Sequence, residues 1–143
     1  DSYIVAREIG DSISAPSMGR KQEQEDAIED INYLPYMSWR DWINCLSQYN
    51  IGIHLMRTHA AGTFAMNCGF HGIPCVGYEG LDTQELIHPK TTIKLGDLDS
   101  AVEIAKKLKN DKDFYNKCSN EVSKNFNNYY TEKKWIDNWR LNI

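Results

Sequence analysis

The stretch RTHAAGTFAMNCGFHGIPCVGY, residues 57 to 78, places small residues, a hydroxyl, an arginine and an amide side chain around one predicted turn and helix. The chemistry this suggests is anion binding. In a helix that begins near Gly62, the first amides, at Gly62, Thr63 and Phe64, have no intrahelical acceptor, and the helix dipole adds positive potential there. Gly62 permits close backbone approach, Thr63 supplies a hydroxyl, and Arg57 offers a forked, permanently charged donor. A phosphate or diphosphate fits such donors. The same pattern also serves packing alone, because every helix starts with free amides. Among the other chemistry-bearing residues, His54 and His71 read as packed or capping side chains. Glu79 and Glu85 follow a strand and face the expected cleft, where Glu85 reads equally as a solvated helix-start carboxylate.

These residues need elements to hold them. YIVA, residues 3 to 6, reads as a buried strand and is followed by a loop through DSISAPSMG. The charged run RKQEQEDAIEDI suits an exposed helix, and INYL, residues 31 to 34, a second strand ended by Pro35. Ser38 followed by Asp41 has the form of a helix-start box, and Trp39, Trp42, Ile43 and Leu46 recur at helical spacing over residues 39 to 48. IGIHLM, residues 51 to 56, is an interior strand. Ala61, Phe64, Ala65 and Cys68 fall on one side of a 3.6-residue period, with Thr63 and Asn67 sharing another side. Gly72 and Pro74 end that helix.

Downstream, IPCVGY reads as a strand, DTQELI as a short helix and TTIKL as a strand. Asp97 caps a helix with a stripe of Leu98, Ala101, Val102, Ala105 and Leu108. Phe114, Cys118, Val122, Phe126 and Tyr129 or Tyr130 mark a further helix, and Thr131 opens a last one in which Trp135 and Trp139 are expected to pack. Short strands alternating with helices predict an α/β fold, a Rossmann-like open parallel sheet with helices on both faces and a helical C-terminus. Such a sheet binds ligands beyond the carboxyl ends of its strands. The loops at residues 6 to 17, 35 to 38, 57 to 62 and 78 to 82 are therefore the candidates.

The 143 residues suffice for one core and read as a single domain. Hydrophobic content of 41% with 25% charged residues fits a water-soluble chain, and no run approaches the length of a membrane span. A formal net charge of −4 argues against nucleic acid as a partner. Cys45, Cys68, Cys75 and Cys118 lack CxxC spacing, so they are expected as small buried hydrophobes in a reducing, cytoplasmic setting, with no metal site.

From INYLPYMSWRDWINCLSQYNIGIHLM through HGIPCVGYEGLDTQELI, the chain resembles the C-terminal, donor-binding domain of GT-B glycosyltransferases of the glycogen synthase and mannosyltransferase type. In that family a loop and helix read E-G-F-G-x-x-x-L-E-A-M-A-x-G-x-P-V-V. HAAGTFAMNCGFHGIPCV, residues 59 to 76, matches this frame without a gap, and LDTQELI resembles the turn that follows. The resemblance covers roughly residues 3 to 135. Gly72 and Pro74 match the Gly-x-Pro, while the two family glutamates fall on His59 and Asn67.

The resemblance implies a nucleotide-sugar as substrate, with no cofactor and no metal. It places the donor phosphates and sugar near Arg57, Gly62, Thr63 and Phe64, the ribose hydroxyls near Asn67, the family's turn glutamate at Glu85, and a catalytic position at His59. Arg7, just after YIVA, is a further candidate for phosphate. The resemblance further implies a separate N-terminal acceptor domain as partner, and a saccharide or lipid acceptor that allows peripheral membrane contact. A nucleotide-sugar epimerase of the same architecture and a non-catalytic binding domain are the alternatives.

Overall fold

The computed structural model describes residues 1–16, 30–58 and 62–141. The expected exposed helix within residues 20–31 falls mostly on positions 20–29, which lie outside the described residues. The order is α1 (Ser2–Ile9), β1 (Ile13–Ala15), β2 (Ile31–Tyr33), α2 (Trp39–Leu46), β3 (Gly52–His54), α3 (Thr63–Phe70), β4 (Cys75–Tyr78), α4 (Asp82–Ile87), a 3₁₀ turn (Pro89–Thr91), β5 (Thr92–Ile93), α5 (Leu98–Asn110), α6 (Lys112–Tyr129) and α7 (Glu132–Leu141). The fold is α/β with helices on both faces of parallel strands, closed by a helical C-terminus. The strands form two pieces: β1 pairs with β2, and β4 lies between β3 and β5, all in parallel.

The central strand shows how the layers divide. All four residues of β4 are buried. Val76 and Tyr78 point into a cluster with Val5, Ile9, Leu55, Ala101, Ala105 and Leu108, so α1 and α5 cover that face. Cys75 points the opposite way, into a cluster with Leu46, Ala65, Cys68 and Ile73 from α2, α3 and the approach to β4. This is the two-residue alternation of a strand buried on both sides.

The YIVA segment corrects the expected strand. It lies in α1, because the side chains that must be buried, Val5 and Ile9, are four residues apart and both meet the core, while Ile4, Arg7 and Glu8 stay exposed. The β-branched run is outweighed by this spacing once Ile9 is included. The expected loop in turn contains β1.

The caps predicted at Ser38 and Asp97 are formed, and Asp111 adds one at the start of α6. The Asp41 N–H donates to Ser38 Oγ (3.2 Å), whose hydroxyl donates to Asp41 Oδ2 (2.6 Å). The Asp97 carboxylate accepts from the Ser100 N–H (3.1 Å) and hydroxyl (2.7 Å), and Asp111 accepts from the Phe114 N–H (2.9 Å). Gly72 closes α3 with φ of +67°, where a side chain would also collide with Ser123. The expected packing of α7 is not what is found at its tryptophans: Trp135 and Trp139 are exposed and stack on each other.

Candidate functional site

The loops at the carboxyl ends of β3 and β4 meet beside the start of α3. The Thr83 hydroxyl, in the first turn of α4, donates to the Gly62 carbonyl (2.9 Å). A β-carbon on Gly62 would collide with the Thr83 hydroxyl, so glycine there is required by the approach of α4. The starts of α3 and α4 are thereby held together. α3 has no side-chain cap and no acidic residue in its first turn. α1 shares both features and α4 also lacks a side-chain cap, whereas α2, α5 and α6 combine a capping side chain with a first-turn carboxylate. The first amides of α3 therefore keep their donor capacity, next to an exposed Thr63.

Arg57 lies beyond β3. Its Nε donates to Asp1 Oδ2 (2.8 Å), and the same oxygen accepts from the Tyr78 hydroxyl (3.0 Å). One carboxylate thus ties the ends of β3 and β4 to the start of α1. The guanidinium is largely exposed, whereas the Asp1 carboxylate is mostly covered and keeps the Tyr78 hydroxyl as a second partner. Arg7, by contrast, belongs to α1 instead of following a strand, and its guanidinium donates to the Tyr3 hydroxyl (2.6 Å) and pairs with Asp30.

Phe64 and Asn67 point into structure. The Phe64 ring lies 5.3 Å from that of His54 and 6.3 Å from that of Trp42. With its amide turned to satisfy both ends, Asn67 donates to the Thr63 carbonyl (3.2 Å) and accepts from the Trp42 indole N–H (2.9 Å). A ribose at Asn67 would have to displace that indole. The Glu85 carboxylate accepts from the Gly80 N–H (2.7 Å) and shapes the turn before α4, while Glu79 accepts from Leu95 (3.2 Å). His59 lies outside the described residues.

Two histidines add to this picture. His54 ends β3, is half-buried with a buried Nδ1 lacking a hydrogen-bond partner, and has its pKa lowered by burial. His71 fastens α3 to α2 through Nε2 and the Ile43 carbonyl (2.7 Å).

The strongest polar network is one that the sequence reading passes over. The Cys75 N–H donates to His88 Nδ1 (3.2 Å), and the Cys75 carbonyl accepts from Gln84 Nε2 (2.8 Å) and the Thr91 hydroxyl (2.6 Å). His88 Nε2 in turn donates to the Ala65 carbonyl (2.9 Å). Burial brings the His88 pKa down to about 4, against a smaller upward pull from that carbonyl. The network is structural. Its sequence signal is weak: a Gln, a His and a Thr between two short apolar runs.

The cysteines behave as hydrophobes. All four are free; Cys68, Cys75 and Cys118 are buried as expected, whereas Cys45 on α2 is only half-buried, and the neighbouring Cys68 thiol together with burial raises the pKa of Cys75. Among the described residues no helix is long and apolar enough to cross a membrane. The structure therefore brings Arg57, Gly62, Thr63 and the turn held by Glu85 to one edge of the sheet, and turns Phe64 and Asn67 into packing. The chain matches no family model and no curated protein sequence.

Proposed function

We propose that this chain is the donor-binding domain of a glycosyltransferase, holding a nucleotide-activated sugar whose diphosphate sits at the start of α3. The observation that carries the reading is the uncapped start of α3 at the carboxyl edge of the parallel sheet, pinned to α4 through Gly62 and Thr83. The gap-free resemblance of residues 59 to 76 to the glycosyltransferase frame, resting on Gly62, Gly72 and Pro74 with His59 and Asn67 in place of its glutamates, supports a sugar nucleotide as ligand class.

The mechanism that follows is electrostatic. In transfer, an acceptor hydroxyl oxygen bonds to the anomeric carbon and gives up its proton, which neutralises one charge of the departing diphosphate. The bond between that carbon and the diphosphate oxygen breaks, and negative charge grows on the leaving group. Amides of Thr63 and Phe64, fixed before the reaction, stabilise that charge together with Arg57 released from Asp1. The acceptor would be supplied from a second domain.

A non-catalytic nucleotide-binding domain is the second reading, favoured by the engagement of Asn67 with Trp42 and Thr63 where the family carries a glutamate. Calorimetry with UDP, GDP, their sugars and uridine tests both. The proposal expects saturable binding of a diphosphate form and none of the bare nucleoside. Absence of binding by every diphosphate would refute it. Diphosphate binding without turnover when acceptor sugars and the complete protein are supplied would select the second reading.

A further inference from the structure

We infer that the two sheet pieces belong to one parallel sheet with a strand position open between β1 and β3, and that this position receives an extended apolar segment leading directly into α1. The inference is independent of the donor-site reading. The Gly52 N–H donates to the Pro74 carbonyl (2.9 Å), so Gly52 and His54 direct their backbone groups towards β4. Ile53 and Leu55, in the alternate positions, direct theirs to the opposite edge. There the Leu55 N–H donates to the Ser2 hydroxyl (2.9 Å), and among the described residues no strand pairs with Ile53 on that side. Both faces of β3 are nonetheless covered, by α1 on the side of Ile53 and Leu55 and by α3 on the side of Gly52. Cover on both faces is the setting of an interior strand.

The path of the chain decides which segment fits. α2 and α4 both pack on α3, on one face, while α1 lies with α5 on the other. Right-handed crossovers through α2, α3 and α4 carry the chain in one direction, from β2 to β3, β4 and β5, so β1 and β2 lie beyond the open edge of β3. α1, on the opposite face, carries the chain the other way into β1. A parallel strand ahead of α1 therefore falls between β1 and β3. The Ser2–Leu55 hydrogen bond and the Arg57–Asp1 pair set the start of α1 at the carboxyl end of β3, where such a strand would finish. Its alternate side chains would meet α1 and the layer of α2 and α3, which calls for apolar residues on both faces.

Amide hydrogen exchange followed by NMR tests the inference. In the chain alone, the Ile53 amide is expected to exchange about tenfold or more faster than that of His54, which is tied to β4. Joining about six valine and isoleucine residues ahead of Asp1 through a short glycine turn should slow Ile53 exchange about tenfold or more and raise the urea midpoint. The same extension with proline at alternate positions, which lacks the N–H, should do neither. Nor should a glycine-serine extension of equal length, which stays a flexible coil.

An Ile53 amide as protected as that of His54 in the chain alone would overturn the inference, as would equal effects of the three extensions. So would protection at Ile53 that rises with protein concentration, which would assign the edge to a second copy.

Discussion

His88 makes the stability of this protein depend on pH between about 6.5 and 4. Its ring is 1% exposed, with Nδ1 accepting from Cys75 and Nε2 donating to Ala65. A second proton would have to go on Nδ1, where it would face the Cys75 N–H with no acceptor. The folded state therefore holds the neutral ring, with a pKa of about 4 against an ordinary 6.5. When the folded pKa lies below the unfolded one, the unfolded chain takes up protons first on acidification. The contribution is thus complete above pH 6.5 and is lost as the pH falls towards 4. Linkage gives a loss of about 2 kcal/mol by pH 5 and about 3 kcal/mol at the lower limit. That is a large part of the 5–15 kcal/mol typical of a domain.

Urea unfolding followed by far-ultraviolet circular dichroism at pH 7.5, 6 and 5 measures it. His54, whose pKa is also lowered by burial, acts in the same direction. Glu8 and Asp97, held below their ordinary values by Lys106 and Ser100, act only at lower pH. His88→Gln retains an acceptor and a donor without titrating, so the difference between wild type and variant isolates the ring. Equal losses in the two proteins between pH 7.5 and 5 would refute the reasoning, as would an NMR titration placing His88 near pH 6.5.

Three further outcomes are expected. Gly62→Ala should destabilise by about 1–3 kcal/mol, because its β-carbon must displace Thr83, and urea midpoints will show it. Ser38→Ala removes the cap of α2 and should cost about 1 kcal/mol in the same assay. Arg57→Ala should change stability by less than about 1 kcal/mol, yet weaken a diphosphate in calorimetry while leaving uridine unaffected; an unchanged diphosphate affinity would remove Arg57 from the site.

Elements whose apolar residues repeat over two or more turns were legible in the sequence. The cap at Ser38, the glycine exit at Gly72 and the stripe from Leu98 to Leu108 all have local causes, and all are seen in the fold. Residues 3 to 6 alone read as a strand, because only Ile9 completes the helical spacing with Val5 that forms α1. The loops after β3 and β4 followed from strand order, whereas the loop expected at residues 6 to 17 holds the end of α1 and β1. The occupants of those loops did not, because the partners of Asn67 and Glu85 depend on where Trp42 and Gly80 are carried by folding. Likewise, the close approach that glycine permits at position 62 is made in the fold by Thr83, which no local pattern signals.

The brevity of β5 has its own consequence. Its ladder with β4 begins only at Gly77 and Thr92, so the backbone of Cys75 has no strand beside it on that edge. Gln84, His88 and Thr91 occupy its N–H and carbonyl instead. A notch that could otherwise template strand addition by another chain is thereby sealed with side chains, which guards this end of the sheet against aggregation.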